Sequence, residues 1–206
     1  MHIPDGVLSL PVLLVGGAAA AAALIRAVPR VDEAALPKVA VVSAMFFVAS
    51  LISVPVGPTS VHLVLSGLMG FVLGWAAVPA VFIGLVLQAV FFGFGGLTTL
   101  GVGTCIVALP GIAWAMLFRP LLAHTPSPTG RGAWAGLAAA LSIATSGLLV
   151  VAVLGLSDAD YLAAAPIVLI AWLPLLVGEA LITGFAVAFL SRVRPEALDL
   201  PVVRHA

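Results

Sequence analysis

Residues 39–118 read VAVVSAMFFVASLISVPVGPTSVHLVLSGLMGFVLGWAAVPAVFIGLVLQAVFFGFGGLTTLGVGTCIVALPGIAWAMLF, about eighty positions between Lys38 and Arg119 without one Asp, Glu, Lys or Arg. Water cannot satisfy backbone polar groups inside a bilayer, so a spanning segment must be a helix or part of a closed barrel. The apolar residues here run on continuously instead of alternating with period two, which excludes barrel strands. Gly, Pro and polar clusters therefore have to divide the run into helices. Pro55-Val56-Gly57-Pro58-Thr59 predicts a helix end near Val54, and Pro79 marks a tight turn after Trp75. Gly93-Phe94-Gly95-Gly96 ends a fourth helix, and Leu97 to Cys105, rich in Thr and Gly, reads as a re-entrant or hairpin loop before a fifth helix that runs to about Leu122.

The flanks extend this pattern. Val7 to Ile25 carries no charge and forms a first helix, with Arg26, Arg30, Asp32, Glu33 and Lys38 in the loop behind it. A polar loop spans His124 to Gly132, and two further spans cover Ala133–Leu156 and Leu162–Ser191, the last holding Pro166, Pro174 and Glu179. Whole-chain composition agrees: 63% of residues are apolar and 8% charged, against about 25% charged in a soluble domain. With ~20 residues needed per span, the expected fold is an all-α integral membrane protein of seven transmembrane helices, or six if the pair around Pro79 is partly re-entrant. It is a single transmembrane domain, 1–206, with an outer head at 1–6, an outer loop at 94–104 and a cytoplasmic tail at 192–206.

Lysine and arginine set the orientation. In the seven-span parse, Arg26, Arg30, Lys38, Arg119, Arg131, Arg192, Arg194 and Arg204 share one side, which makes that side and the C-terminus cytoplasmic and the N-terminus external. The Met-His-Ile-Pro-Asp-Gly head has no basic residue before the first apolar run, unlike a secretory signal peptide, so the first helix is expected to remain uncleaved. Zero net charge gives no sign of a nucleic-acid partner, and a single cysteine, Cys105, excludes an internal disulfide and a thiolate metal cluster.

Of four histidines, His124 and His205 fall in cytoplasmic loop or tail and read as solvated side chains. His62, near the start of the predicted third helix, is costly there unless it faces a cavity or partner; a structural role stays open beside a ligating one. At position two, His2 brings its imidazole Nδ1, its backbone amide nitrogen and the terminal amine of Met1 into one chelating unit of fused five- and six-membered rings. A second imidazole such as that of His62 would complete a plane of four nitrogens, a geometry suited to Ni(II) or Cu(II) and not to tetrahedral Zn(II). An incidental Met-His start is the competing reading. Asp5 offers a carboxylate to orient such an imidazole, or else caps the first helix.

Met1-His2-Ile3-Pro4-Asp5-Gly6, Gly57-Pro58-Thr59-Ser60-Val61-His62-Leu63 and Gly95-Gly96-Leu97-Thr98-Thr99-Leu100-Gly101 together resemble the CbiM/NikM family, the substrate-binding membrane subunits of energy-coupling-factor transporters for cobalt and nickel. The resemblance is carried by Met1 to Pro110 and is one of hydropathy beyond. It implies a transported Ni(II) or Co(II) held by the Met1 amine, the His2 amide and imidazole and the His62 imidazole, with Asp5, Ser60 and Thr98 in supporting positions. Gly103 stands where the family's Val-Asn-Thr has asparagine, and Phe94 where some relatives have histidine. The family's partners follow as expectations: a transmembrane coupling subunit, cytoplasmic ATPase subunits and a small accessory membrane subunit, in the bacterial inner membrane. The chain has no Gly-x-x-x-x-Gly-Lys-Ser/Thr motif, so ATP hydrolysis belongs to those partners, and neither an enzymatic activity nor a prosthetic group is expected.

Other features fit without requiring this answer. Ala18–Ala23 gives the first helix a small-residue surface for the coupling subunit or for the bundle, and Gly70…Gly74 is a GxxxG pair suited to close helix contact. Glu179 is placed by count toward the cytoplasmic half, as a structural hydrogen bond or partner contact. Two alternatives remain at this level: a vitamin-binding subunit of the same transporter class, and a membrane enzyme or proton-conducting bundle using His62 and Glu179.

Overall fold

A computed structural model describes residues 3–56 and 59–198. Among them are seven α-helices and one β-hairpin: α1 (Leu10–Ala27), α2 (Leu36–Leu51), β1 (Ser53–Val56), β2 (Thr59–His62), α3 (Ser66–Leu73), α4 (Ala77–Phe92), α5 (Leu100–His124), α6 (Pro128–Ser157) and α7 (Ala165–Val193). Local chemistry sets several of the ends. Pro128 sits in the first turn of α6, where its missing N–H costs nothing, and the Ser127 hydroxyl accepts the Gly130 N–H at 3.0 Å as an N-cap. Gly93 closes α4 in the left-handed region at φ 64°, its N–H bonded to the Ala89 carbonyl, as glycine does at helix C-termini.

Five stretches are long and apolar enough to cross a membrane: Leu10–Arg30, Ser66–Phe92, Leu100–His124, Pro128–Ser157 and Ala165–Val193. The second is not one rod. α3 runs beside α5 in the same direction, Ser66 against Gly111 and the Phe71 carbonyl accepting from Arg119 at 2.9 Å. α4 returns the other way, Leu85 beside Gly103, after a reversal at Gly74 (φ 55°, ψ −128°). α2, with 16 residues, is a shorter apolar helix. The expected helical membrane bundle is therefore present, while three of its seven helices, α2 (16 residues), α3 (8) and α4 (16), are shorter than an ordinary span.

The contacts that hold the bundle gather its cations at one end. Arg26 lies over the Trp75 ring, 4.8 Å from its centroid, and Lys38 donates to the Ala197 carbonyl at 2.9 Å. Arg131 donates to the Thr125 carbonyl beside the α5–α6 turn, and Arg192 ends α7. The other end carries the loop 93–99, Asp5 and Asp158. Between them one apolar core joins Phe46, Met69, Val78, Ile106 and Ile143; a second, toward the basic end, joins Phe71, Phe118, Leu122 and Leu198. Leu14, Val15, Phe91, Leu148, Phe185 and Phe189 stand exposed around the outside, the surface a lipid phase would cover.

Several expected boundaries move, each for an identifiable reason. Leu100–Cys105 is the first turn and a half of α5 and not a loop, so the connection is shorter than 94–104. The glycines that suggested a loop serve contact instead: a Cβ at Gly101 would sit 2.7 Å from the Gly17 Cα of α1. α6 likewise begins at Pro128, inside the expected polar loop. The Gly70…Gly74 pair is not one face, since Gly70 packs on the Gly111 backbone whereas Gly74 meets nothing within 4 Å and forms the reversal. Within Ala18–Ala23, Ala20 and Ala23 are buried in the bundle and the remaining four face outward. His62 is not in a helix at all; it ends β2, opposite Ser53, and α3 starts four residues later.

Candidate metal-binding site

The loop 93–99 is shaped to receive the start of the chain. Gly93 and Gly95 adopt positive φ, 64° and 80°, and a Cβ at Gly96 would lie 2.6 Å from the Asp5 nitrogen, so only glycine lets the two backbones meet there. Asp5 then lays its carboxylate across the loop, accepting from the Leu97 N–H at 3.2 Å, the Thr98 N–H at 2.9 Å and the Thr98 hydroxyl. The Thr98 hydroxyl, then the Thr98 amide, holds the Asp5 carboxyl below the usual carboxylate range, because hydrogen bonds to the charged form favour it. Beside it the buried Thr99 hydroxyl donates to the Ile3 carbonyl at 2.8 Å and makes a 3.0 Å contact with the Gly96 carbonyl. Residues 3–5 are thus clamped between α4 and α5.

Ile3 and His62 line the same cavity, closed by Phe46, Leu85, Phe94, Gly95, Gly96, Thr99, Gly103 and Ile106. His62 is buried, and its Nδ1 lies 3.0 Å from the Leu63 carbonyl. A carbonyl only accepts, so Nδ1 carries the proton and the neutral ring keeps its lone pair on Nε2, the arrangement of a metal-ligating histidine. Burial pushes the His62 imidazole below its ordinary value, outweighing the bond to Leu63. The cavity holds about 40 Å³, room for about three water molecules at roughly 10–15 Å³ each. Pockets for organic ligands run to about 300–1,000 Å³, well above this cavity.

The segment after His62 is irregular and costly. Leu65 stands at φ 54°, a left-handed conformation that costs a side-chain-bearing residue about 1–2 kcal/mol. Irregular backbone at membrane depth survives only when protein satisfies it, and here Glu179 does so. One carboxylate oxygen accepts the Val64 N–H at 2.5 Å and the Leu65 N–H at 2.6 Å. Glu179 is at the middle of α7 and fully buried. The expectation that placed it away from His62, toward the cytoplasmic half, is corrected: α7 brings it against the residues that follow His62. Its structural hydrogen bond stands as expected.

Of the other expected site residues, Asp5 and Thr98 come together directly. Ser60 falls in β2 opposite Pro55, and Met1 and His2 lie outside the described residues. Among the described residues no three His, Cys, Asp or Glu side chains gather, so His62 brings a single ligating group to the cavity. Gly103 lines the same cavity, where the asparagine of the family pattern would project. Thr99 went unrecognised in the sequence as the clamp on Ile3. So did Gln88, whose fully buried carboxamide lies one turn beyond Leu85 on α4 without a hydrogen-bond partner among the described residues.

Known proteins share this chain's sequence pattern and fold. Residues 2–197 match the family CbiM, described as the cobalt uptake substrate-specific transmembrane region. A Haemophilus influenzae protein named for metal transport is 36% identical, over 97% of both chains. The cobalt transport protein CbiM of Sorangium cellulosum is 34% identical, over 100% of this chain and 98% of that one. The fused nickel transport protein NikMN of Rhodobacter capsulatus is 32% identical; the match takes in 96% of this chain and 64% of the fused protein. In three dimensions a crystal structure of a transition metal transporter superimposes with a TM-score of 0.82 at 28% identity, covering 94% of this chain and 93% of the other. The match runs along nearly the whole apolar bundle, and this chain belongs to the CbiM family, as a multi-pass transmembrane component of metal uptake.

Proposed function

We propose that this chain is the substrate-capture subunit of an ATP-driven energy-coupling-factor transporter in the bacterial inner membrane, taking up Ni(II) or Co(II). The ion is held by a square-planar set: the Met1 amine, the His2 amide and imidazole nitrogens, and the His62 imidazole. The observation that carries this reading is the shared cavity, in which Ile3, the residue next to His2, and His62 face one space sized for an ion. Asp5 and Thr98 hold the head in place, and Ser60 supports it from β2. The polypeptide crosses the membrane seven times, with α2 as the second crossing and the extended Leu63–Leu65 plus α3 as the third. The cluster of cations marks the cytoplasmic end, which leaves the His62 cavity external and residues 192–206 as a cytoplasmic tail. Energy comes from separate ATPase subunits through a membrane coupling subunit, with a small accessory subunit completing the complex.

The test is titration of the purified protein with Ni(II) and Co(II), followed by calorimetry and by the ligand-field absorption of the bound ion. One residue inserted between Met1 and His2, and separately His62→Ala, should each abolish high-affinity binding and the square-planar spectrum. Unchanged binding in both variants would remove the proposed site.

A further inference from the structure

Nothing in the nitrogen set explains why a carboxylate is buried in mid-membrane beside it. Glu179 ends in a cluster of polar groups inside the bundle: its first oxygen takes both amides of Val64 and Leu65, and the hydroxyl of the next residue, Ser66, meets Ser142 at 2.9 Å. The Leu63 side chain lies against Gly178. The three residues between His62 and α3, Leu63–Leu65, are thus fixed from one side by one turn of α7. His62 Nδ1 bonds to the Leu63 carbonyl within that same segment, so the ring's angle depends on how Leu63 and Val64 are held. A ligating imidazole that rotates by a few tens of degrees no longer directs its lone pair at the ion, and outer partners that orient such rings are part of the site.

We infer that Glu179 is a positioning residue for His62: its two hydrogen bonds fix the backbone that aims the imidazole into the cavity. This rests on the reading of His62 as a metal ligand. The role requires an acceptor oxygen and not a charge, so glutamine, whose carbonyl oxygen accepts both amides, should substitute and alanine should not. Glu179→Ala should weaken Ni(II) binding by about tenfold or more, the usual effect of losing such a partner, and shift the ligand-field band of the bound ion. Glu179→Gln should keep the affinity and spectrum of the wild type. Ser43→Ala, which removes a buried hydrogen bond to the Ala80 carbonyl away from the cavity, controls for general loss of stability. It should lower the melting temperature and leave both metal readouts alone.

Wild-type affinity and spectrum in Glu179→Ala overturn the inference, as does a Glu179→Gln variant weakened as much as alanine. If Glu179→Ala does not fold, Glu179→Gln decides: affinity within experimental error of wild type supports the inference, and a tenfold loss rejects it. Binding that is lost in His62→Ala but indifferent to Glu179→Ala separates failure of this inference from failure of the metal site itself.

Discussion

Changing Gly111 to alanine should damage this protein, while the same change at Gly103, eight residues away on the same helix, should not. Both glycines are inside α5, so both gain the same helix propensity from alanine, up to about 1 kcal/mol. They differ in what the new methyl meets. At Gly103 the nearest atom is the Leu85 Cδ1 at 3.4 Å, an ordinary contact with the flexible end of a side chain. At Gly111 the methyl would lie 2.7 Å from the Ser66 carbonyl carbon and closer still to its oxygen. Restoring normal separation requires α3 to retreat by about 1 Å, and rigid backbone on both sides offers no rotamer change to absorb it. α3 cannot retreat cheaply, because Glu179 holds its start and the Gly74 reversal its end. Overpacking of this kind costs about 1–3 kcal/mol, and backbone-on-backbone contact puts Gly111→Ala at the upper end. Propensity cancels between the variants, so their gap should be about 3 kcal/mol, or roughly 6–12 °C in melting temperature for a chain of this size. Thermal unfolding in detergent, followed by tryptophan fluorescence or dye binding, measures the gap. Nickel titration should show Gly111→Ala weakened as well, since displacing Ser66 moves the segment that carries His62. Equal melting temperatures would refute the claim that α3 is pinned against α5.

The clamp on the head makes two further predictions. Thr99→Val removes a buried hydroxyl from the Ile3 and Gly96 carbonyls; it should cost about 1 kcal/mol of stability and speed nickel release, measured by chelator chase. Asp5 has a folded-state carboxyl held below its ordinary value, so it adds stability that is complete above the ordinary carboxylate range and is lost as pH falls through the folded value. Amide exchange at Leu97 and Thr98 should therefore be faster in Asp5→Ala than in wild type at pH 6, and the difference should vanish in strong acid. A difference that persists unchanged at low pH would mean the carboxylate is not the anchor.

Much of the membrane fold was legible in the sequence because the bilayer forbids most alternatives. The absence of charge from residue 39 to 118 admits few structures, and the segregation of Arg26, Lys38, Arg119 and Arg131 was visible before any coordinate. Glycine was where the reading slipped. In Gly101-Val102-Gly103 it suggested a loop, yet in a packed bundle it marks the close approach of two helices, and sequence alone does not distinguish an exposed turn from a contact. His62 was recognised by type and misplaced in secondary structure, because Ser60-Val61-His62-Leu63-Val64 is as apolar as a helix start. Only the pairing with Ser53 makes it a strand. Glu179 was misplaced more seriously: counting residues along α7 gives a depth, but which neighbour meets the carboxylate depends on α3 starting late. Asp5 and Thr98 were found because the family pattern named them; Thr99, whose hydroxyl holds Ile3, required the loop's geometry.

The size of the cavity beside His62 bears on how fast an ion is captured. A hexahydrated divalent cation carries six waters, which at roughly 10–15 Å³ each need more than the cavity's about 40 Å³, so the full shell does not fit. In the proposed site an ion must surrender waters at the threshold, with four protein nitrogens taking their place. The rate of arrival is then governed by how readily the aqua complex exchanges its ligands, in which Co(II) is faster than Ni(II). The order in which two metals load in a brief encounter need not follow the order in which they bind at equilibrium.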